Sequence, residues 1–321
     1  MTGEKENAFS HVPVLLHETI EALNIKSDGI YLDGTLGGGG HSFEIAKRLG
    51  EGGRLIGTDR DDEAIRAAGE RLKDFSGKVT IIRENYGSVK RIAKELSIKA
   101  FDGILLDLGV SSRQLDESER GFSYSDDNSP LDMRMDRREE KTAETILNSY
   151  SEGELERIIR LYGEEKFSRQ IAANIVKERE KERLKYSGQL NDIIRRSIPE
   201  KFRRTGGNPS KRTFQALRIE VNDELSVLSD SIDDMIELLS DRGRLCIITF
   251  HSLEDRIVKE AFKRNEDPCI CPPDFPVCVC GRRSKGKVLT KKAVLPGQEE
   301  LATNKRAKSS RLRVFERISE Q

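Results

Sequence analysis

The sequence predicts an α/β fold in which a mostly parallel sheet of seven strands carries a helical insertion. Three observations lead to this prediction: residues 1–110 alternate short apolar runs with helical patterns, residues 112–208 show helical patterns only, and an apolar strand returns at 243–250. Strands and helices that alternate at this spacing form right-handed crossovers and a parallel sheet. We therefore predict a sheet domain of residues 1–111 and 209–321, and an inserted helical domain of residues 112–208.

The first part of the sheet domain follows a regular order of elements. A helix is expected over 14–24, and apolar runs then alternate with amphipathic stretches. The predicted strands are 29–34, 53–58, 78–83 and 101–107. The predicted helices between them are 41–49, 61–73 and 87–97.

The insertion begins with a polar stretch, residues 112–140, which shows no clear period and whose composition favours a disordered surface. Four helical patterns follow it. Ser151 and Glu154 form a capping box at the start of the second of these. The predicted helices are 142–150, 152–162, 164–183 and 189–198.

The sheet domain resumes after Pro209. Apolar residues from Phe214 to Ile232 recur at steps of three and four, which predicts an amphipathic helix that packs on the sheet. After the strand at 243–250, Ser252 and Asp255 are expected to cap a further helix. Alternating residues at 311–318 predict a last strand that could close the edge of the sheet.

Composition limits the class of protein. Lys and Arg together number 56, as do Asp and Glu, so the chain of 321 residues is formally neutral. Two segments, 195–218 and 281–317, are nevertheless strongly basic, which suggests a surface that binds anions unless they are simply solvated faces. No apolar run is long enough to cross a bilayer and no signal peptide is evident, so we expect a cytoplasmic protein without a membrane partner. The oligomeric state is left open.

The segment "YLDGTLGGGGHS" (31–42) is the clearest motif, because it ends one strand and opens a helix. Its glycines permit a tight turn and close approach of a ligand, and the helix start offers free N–H groups. His41 stands where a phosphate-binding P-loop has lysine, and the dinucleotide pattern G-x-G-x-x-G is also absent. Neither ATP nor NAD is therefore the favoured ligand.

Two carboxylates accompany this turn. Asp33 ends the first strand, where it would repel a pyrophosphate but suits the cationic amino group of a methionine moiety. Asp59 ends the second strand, about twenty residues past the turn, where an acid can accept both ribose hydroxyls. Together with the glycines these acids favour S-adenosylmethionine as the cofactor of a Rossmann-like domain.

Three more strand ends carry candidate residues, since ligands of open α/β sheets bind beyond the carboxyl ends of the strands. Tyr86 could cover the adenine or be an ordinary half-buried tyrosine. Asp107 follows an apolar strand, which indicates a functional carboxylate, although it could also cap the next turn. His251 follows the strand at 243–250 and is either a substrate contact or a structural histidine.

Several longer motifs resemble the bacterial 16S rRNA (cytosine-N4)-methyltransferase family, in matching order from about His11 to Ile318. They are "DGTLGGGGHS", "DGILLDLGVSS", "PLDMRMD" (130–136), "RTFQALRIEVNDEL" (212–225) and "FHSLEDRIVK" (250–259). The resemblance implies methylation of the N4 amine of cytosine 1402 in the decoding centre, with S-adenosylmethionine as cofactor and 16S rRNA of the small ribosomal subunit as partner. It implies cofactor contacts at Gly39, Gly40, His41, Asp59, Tyr86, Asp107 and Gln114. The family commonly has a larger residue at the position of Gly38.

The chemistry requires an acceptor for the amine hydrogens, because the lone pair of the cytosine N4 amine is delocalised into the ring. We expect Asp107 to be the catalytic residue, orienting the methionine end of the cofactor, with Asp107 or nearby backbone carbonyls accepting these hydrogens. Ser112, Arg134 and His251 are the candidate substrate-binding residues, and the polar loop 112–136 is expected to close over the base. The basic segments would contact phosphates and help offset the cost of unstacking the base.

Two other functions are compatible with parts of this pattern. One is an NAD-linked oxidoreductase, which lacks support from the glycine pattern and from any evident pair of residues for hydride transfer. The other is an RNA-binding module that kept the cofactor fold without catalysis.

Four of the five cysteines are clustered in "CICPPDFPVCVCG" (269–281). Four thiolates can form a tetrahedral Zn²⁺ site, but the spacing is C-x-C where C-x₂-C is commoner. The sequence therefore slightly favours reduced, metal-free cysteines, with structural zinc as the alternative, and the metal content is unknown from sequence alone. Cys246 lies in an apolar strand and is expected to be a core residue.

Overall fold

The computed structural model describes residues 13–204, 207–272, 275 and 277–319, and of Ser112 it describes only the backbone. The chain divides into two compact units. The sheet unit comprises Met1–Gly109 and Leu228–Gln321, and the helical unit comprises Val110–Val227. The helical unit extends beyond the predicted insertion of 112–208 at both ends.

The sheet unit is built on one sheet. Its strands are β1 (Ile30–Asp33), β2 (Arg54–Asp59), β3 (Val79–Arg83), β4 (Phe101–Asp107), β5 (Leu239–Thr249), β6 (Gly286–Val288) and β7 (Arg311–Arg317). Among the described residues they form one sheet of seven strands in the order β3-β2-β1-β4-β5-β7-β6. The first five are parallel, whereas β7 pairs antiparallel with β5 and β6 pairs antiparallel with β7. The predicted mostly parallel sheet of seven strands is confirmed.

Two details of the sheet differ from expectation. Strand β7 was expected to close the edge, but β6 pairs outside it. Strand β6 has only three residues, Gly286–Val288, which is too short for an alternating pattern to be visible in the sequence. Strand β5 begins at Leu239, earlier than predicted, and its pairing with β4 is irregular near Phe101 and Gly103.

Helices connect the strands of the sheet unit and make up most of the helical unit. In chain order, the described residues form α1 (Leu16–Leu23), α2 (Gly40–Arg48), α3 (Asp62–Leu72), α4 (Val89–Glu95), α5 (Ser112–Asp116), α6 (Ala143–Ser149), α7 (Glu152–Leu161), α8 (Ser168–Arg179), α9 (Ser187–Ser197), α10 (Glu200–Arg203), α11 (Ser210–Asn222), α12 (Glu224–Glu237), α13 (Ser252–Glu266) and α14 (Gln298–Thr303). None of these helices combines the length and apolar character needed to cross a membrane.

Both faces of the sheet are covered, because successive strand residues point to opposite sides. Leu32, Ile104 and Leu106 face the side on which α4, α12 and α13 pack. Their neighbours Tyr31 and Leu105 face the side on which α1, α2 and α3 pack. This two-sided burial leaves the carboxyl ends of the parallel strands as the place where polar side chains can emerge.

The helical unit has its own apolar core, formed by residues of α6, α7, α8, α9 and α11. The capping box of Ser151 and Glu154 at the start of α7 is present as predicted. The "PLDMRMD" segment is ordered, since Leu131, Met133 and Met135 are buried in this core. The disordered surface that composition favoured for this stretch is therefore not observed.

The apolar stripe from Phe214 to Ile232 is divided between two helices. Helix α11 ends at Asn222, and Asp223 adopts a left-handed conformation with φ of 50° before α12 begins. Phe214 belongs to the core of the helical unit, whereas Ile232 belongs to the core of the sheet unit. The expectation that the whole stripe packs on the sheet is therefore wrong for its first half.

Candidate functional site

Four neighbouring strands of the sheet unit, β2, β1, β4 and β5, end in or next to a predicted site residue. Asp59, Asp33 and Asp107 are the last residues of β2, β1 and β4, and His251 follows β5 by two positions. Strand β1 lies between β2 and β4, so the order of strands in the sheet reverses direction beside it. In open α/β sheets the ligand crevice lies at this kind of switch point.

The glycine turn connects β1 to α2 in a backbone conformation that favours glycine. Gly37 and Gly39 have φ of 50° and 72°, in the left-handed region that L side chains avoid. Gly39 is the N-cap of α2. A Cβ at Gly40 would lie 2.2 Å from Pro13 Cγ, whereas a Cβ at Gly38 would meet nothing within 4 Å. The larger residue that the resembled family carries at this position would therefore fit without a clash.

Asp33 lies beneath the turn and is almost completely buried, with 1% of its surface exposed. Its Oδ2 accepts a hydrogen bond from Ser42 Oγ at 2.7 Å, and its Oδ1 accepts one from Thr35 N at 3.2 Å. Burial raises its pKa to about 6, although these hydrogen bonds oppose the rise. Both oxygens thus accept from the protein, and the carboxylate fixes both ends of the turn.

Asp59 connects the turn to the second strand. Its Oδ2 accepts a hydrogen bond from Gly37 N at 2.9 Å, and its Oδ1 accepts one from Asp61 N at 2.9 Å. Burial raises the pKa of Asp59, and the same hydrogen bonds act in the opposite direction. An acid in this position is held beside the left-handed glycine, as expected for a residue that binds a ribose at the crevice.

Asp107 is the carboxylate with the least support from the protein. Its backbone N–H donates to Thr35 Oγ1 at 2.5 Å, but its buried Oδ1 has no hydrogen-bond partner. Burial raises its pKa well above the usual range, and the nearby carboxylates of Asp33, Glu254 and Glu300 raise it further. A site that gathers carboxylates around an unpartnered oxygen favours a cationic ligand.

His41 lies in the first turn of α2 with 5% of its surface exposed. Its Nε2 lies 3.1 Å from the carbonyl oxygen of Val14, and its Nδ1 lies 3.6 Å from Asp107 Oδ2. Burial lowers the pKa of His41 to about 4, so the ring is neutral at physiological pH. With Nε2–H donating to Val14, the lone pair of Nδ1 faces Asp107.

Tyr86 begins a short 3₁₀ turn after β3 and packs partly buried against the sheet core. A Cβ at Gly34 would lie 2.9 Å from Tyr86 Cβ, so the glycine allows the tyrosine to approach the turn. This places Tyr86 beside the crevice.

His251 is the N-cap of α13, in a capping box with Glu254. Its Nδ1 accepts from Glu254 N at 3.4 Å, and the Glu254 carboxylate accepts from Phe250 N at 2.7 Å. The expectation that Ser252 and Asp255 cap this helix is wrong. Asp255 instead pairs with Arg313 at 2.6 Å and with Arg311 at 3.0 Å.

The other predicted residues belong to the helical unit. Gln114 is buried, and its Oε1 accepts from Ser111 N at 2.9 Å in the capping box of α5. Arg134 pairs with Asp132 at 2.8 Å and donates to the carbonyls of Arg137 and Glu139. The Ser112 side chain lies outside the described residues. The structure thus does not by itself bring these three residues to the carboxylates of the sheet unit.

Sequence reasoning missed two acidic residues near Asp107. Glu254 is 2% exposed and lies inside the "FHSLEDRIVK" motif, where it could have been noticed. Glu300 lies on α14, and its Oε1 accepts from Leu15 N at 2.9 Å. Nothing in the local sequence of Glu300 indicates this position, because the contact spans most of the chain.

Comparison with known proteins gives a consistent result along the whole chain. The model of the MraW methylase family matches residues 8–318. The chain is 61% identical over 309 residues to "Ribosomal RNA small subunit methyltransferase H 2" of Agathobacter rectalis, covering 96% of this chain and 98% of that protein. It is 62% identical over 310 residues to "Ribosomal RNA small subunit methyltransferase H" of Lachnospira eligens, covering 97% and 98%. A protein of the same name from Clostridium botulinum is 55% identical over 310 residues, covering 97% and 99%.

Proposed function

Because the chain belongs to the MraW methylase family, we propose that it methylates the N4 amine of cytosine 1402 in 16S rRNA, with S-adenosylmethionine as the methyl donor. The relatives named as methyltransferases of small-subunit ribosomal RNA match it over almost their full lengths. The observation that carries the proposal is the joint placement of Asp33, Asp59 and Asp107 at the ends of three adjacent strands around a glycine turn. The relatives support neither an oxidoreductase nor a non-catalytic RNA-binding module.

The chemistry of the site fits a cationic donor. S-adenosylmethionine carries a sulfonium and an ammonium group, and Asp107 offers a buried oxygen without a partner. Since neighbouring carboxylates oppose ionisation of Asp107, a cation bound there relieves repulsion as well as forming its own contact. Asp59 would accept from the ribose, and the ring of Tyr86 would cover the adenine. Gly37–Gly40 would permit close approach of the backbone to the ligand.

Each of the other groups has a role that follows from its contacts. Asp33 acts as a positioning residue, because it holds Thr35 and Ser42 at the two ends of the turn. Thr35 in turn accepts from the N–H of Asp107 and fixes the end of β4. His41 stays neutral and presents Nδ1 to Asp107, so it orients that carboxylate without competing as a cation.

The bound donor would supply the methyl group from its sulfonium, and the protein would supply position and a proton acceptor. Methyl transfer is an in-line displacement, so holding the amine in line accounts for most of the rate enhancement. Ionised Asp107, or a nearby backbone carbonyl, would accept an amine hydrogen and localise the nitrogen lone pair. Gln114 is a proposed cofactor contact, and Ser112, Arg134 and His251 are proposed substrate contacts, on the strength of the family resemblance.

The basic C-terminal segment can be divided by its contacts into structural and available cations. Arg311 and Arg313 pair with Asp255, and Lys285 pairs with Glu237. In the described part of the segment, several lysines have exposed side chains and no ion pair. They are Lys291, Lys292, Lys305 and Lys308. We propose these four as contacts to RNA phosphates.

The test is methyl transfer from labelled donor to small ribosomal subunits that lack this modification, compared with naked 16S rRNA. We expect label in the rRNA, and mapping of the modified base should place it on the N4 amine of cytosine 1402. Label on another base would contradict the target, and binding of the donor without transfer to either substrate would contradict the activity.

A further inference from the structure

We propose that Cys269, Cys271, Cys278 and Cys280 hold a structural Zn²⁺ ion in the loop between α13 and β6. All four thiols are free, and their Sγ atoms lie within 4.8 Å of one another. The cluster belongs to the sheet unit. It is separate in the chain from the strand ends that carry the proposed cofactor site.

The sulfur distances match a tetrahedral zinc site. Cys278 Sγ lies 3.4 Å from Cys280 Sγ, 3.6 Å from Cys269 Sγ and 3.9 Å from Cys271 Sγ. A Zn–S bond of about 2.3 Å gives an edge of about 3.8 Å between sulfurs of a regular tetrahedron. A disulfide would require a separation of about 2.05 Å. The four atoms are thus spaced for one shared cation and too far apart for any disulfide.

Backbone groups around the sulfurs support thiolate ligands. The N–H of Val279 donates to Cys271 Sγ at 3.3 Å. Gly281 follows the last cysteine with φ of 67°, a left-handed turn that an L side chain would strain. Hydrogen bonds to ligating sulfurs orient the ligands and tune a metal site. The C-x-C spacing, which made zinc the less favoured alternative from sequence, is compensated by the fold of this loop.

The loop also lacks the apolar burial that would stabilise it without a metal. Ile270 is 65% exposed, Val277 is 70% exposed and Val279 is 72% exposed. Small segments that cannot bury apolar side chains commonly depend on a disulfide or a metal. Zn²⁺ would displace the four thiol protons and form a site of net charge −2. The chain continues directly into Arg282 and Arg283, whose positive charge suits such a site.

The experiment measures metal in the full-length protein. Apo-protein, prepared with a chelator under reducing conditions, should take up one equivalent of Zn²⁺ in competition with a chromophoric chelator. Co²⁺ in its place should give the charge-transfer and d–d bands of a tetrahedral thiolate site. Metal should also slow tryptic cleavage after Arg282 and Arg283. Failure of the reduced wild-type protein to take up either ion would overturn the proposal, without bearing on methyl transfer.

Two variants separate this site from other thiols. Cys278→Ser removes the sulfur that contacts the other three and should reduce zinc affinity at least a hundredfold. Cys246→Ala removes the buried cysteine of β5 and should retain one equivalent of zinc. Equal zinc uptake by the wild type and by Cys278→Ser would also overturn the proposal. The wild-type Co²⁺ spectrum remains decisive if Cys278→Ser fails to fold.

Discussion

Asp107 combines two properties that oppose each other in the ligand-free protein. Its carboxylate is partly buried with an oxygen that has no hydrogen-bond partner, so ionisation is unfavourable there. Such a group lowers stability unless a cation is bound, which is typical of residues retained for function. Stability and activity should therefore respond in opposite directions when this side chain is changed.

Replacing Asp107 with Asn tests this opposition. We expect Asp107→Asn to raise the free energy of unfolding of the ligand-free protein by about 1 kcal/mol at neutral pH, since it removes an unfavourable buried charge. Donor affinity should fall about tenfold and turnover at least a hundredfold. Thermal unfolding, calorimetric titration and labelled methyl transfer measure the three quantities. Near-normal turnover would remove Asp107 from the mechanism.

Asp102, on the same strand, is the matched control. Burial alone would raise its pKa, but hydrogen bonds from Lys26, Ile30 N and Ser240 outweigh it, so its pKa is lowered. Asp102→Asn should therefore lower stability, by about 1 kcal/mol, and leave turnover unchanged. A gain in stability for Asp102→Asn would contradict the stabilising role of these hydrogen bonds.

Asp33 gives a prediction about pH. Its pKa is about 6 in the folded protein, against about 4 when unfolded, so between these values the native state keeps a proton that the unfolded state has released. Stability contributed by this group is hence complete at low pH and is lost as the pH rises to about 6. The shift of about two units corresponds to about 3 kcal/mol at most. In Asp33→Asn this decline should disappear from chemical denaturation measured over the same pH range. Equal slopes for variant and wild type would exclude the proposed titration.

The residues that sequence could identify are those at strand ends. Asp33, Asp59 and Asp107 each follow an apolar run directly, and all three lie where the parallel sheet predicts. Glu300 could not be found in this way, because its contact with Leu15 depends on tertiary packing. The paired state of Arg134 was also hidden, since its partner Asp132 is two residues away and could equally have faced solvent.

At the scale of elements, the glycine turn separates backbone strain from side-chain space. Gly37 has φ of 50° and an almost open Cβ position, with Thr35 O at 3.9 Å, so an alanine there is strained but not crowded. Gly37→Ala should lower the free energy of unfolding by about 1 kcal/mol. Because Gly37 N donates to Asp59, donor affinity should fall as well. Denaturant unfolding and calorimetric titration measure both.

Gly38→Ala is the control for the neighbouring position. Its Cβ would meet nothing within 4 Å, and its φ lies outside the left-handed region. We expect stability and donor affinity close to wild type. If both alanine variants behaved alike, backbone conformation would not be what the turn requires of its glycines.

The limits of prediction at this scale are visible in the stripe of 214–232. Periodicity continues across Asp223, so the sequence pattern indicates one helix, whereas a single left-handed residue divides it. Asn222 contributes to the break by donating to Met133 O and accepting from Met135 N, contacts to a segment about ninety residues earlier. Local patterns located most helices because each buries one apolar face, but they contain no information about these distant partners.

At the scale of the whole molecule, the chain is formally neutral but its charge is unevenly distributed. Much of the basic segment 195–218 is used internally. Arg195, Arg196, Arg204, Arg212 and Arg218 each form an ion pair within the helical unit. The count of basic residues in a segment therefore overstates the charge available to a polyanion. Which cations bind RNA depends on their partners in the fold.

The exposed lysines of the C-terminal segment give the corresponding prediction. Lys291 and Lys292 are exposed and form no ion pair in the described part of the chain, so each can release a counterion when it contacts a phosphate. The double variant Lys291→Gln/Lys292→Gln should bind RNA more weakly. The slope of log affinity against log salt should fall by about 1.5. Lys94→Gln/Lys99→Gln removes the same charge from exposed positions outside the basic segments and should leave the slope unchanged. Equal changes in the two double variants would mean that net charge, and not this segment, determines RNA affinity. Titration of fluorescent rRNA fragments at several salt concentrations distinguishes the two outcomes.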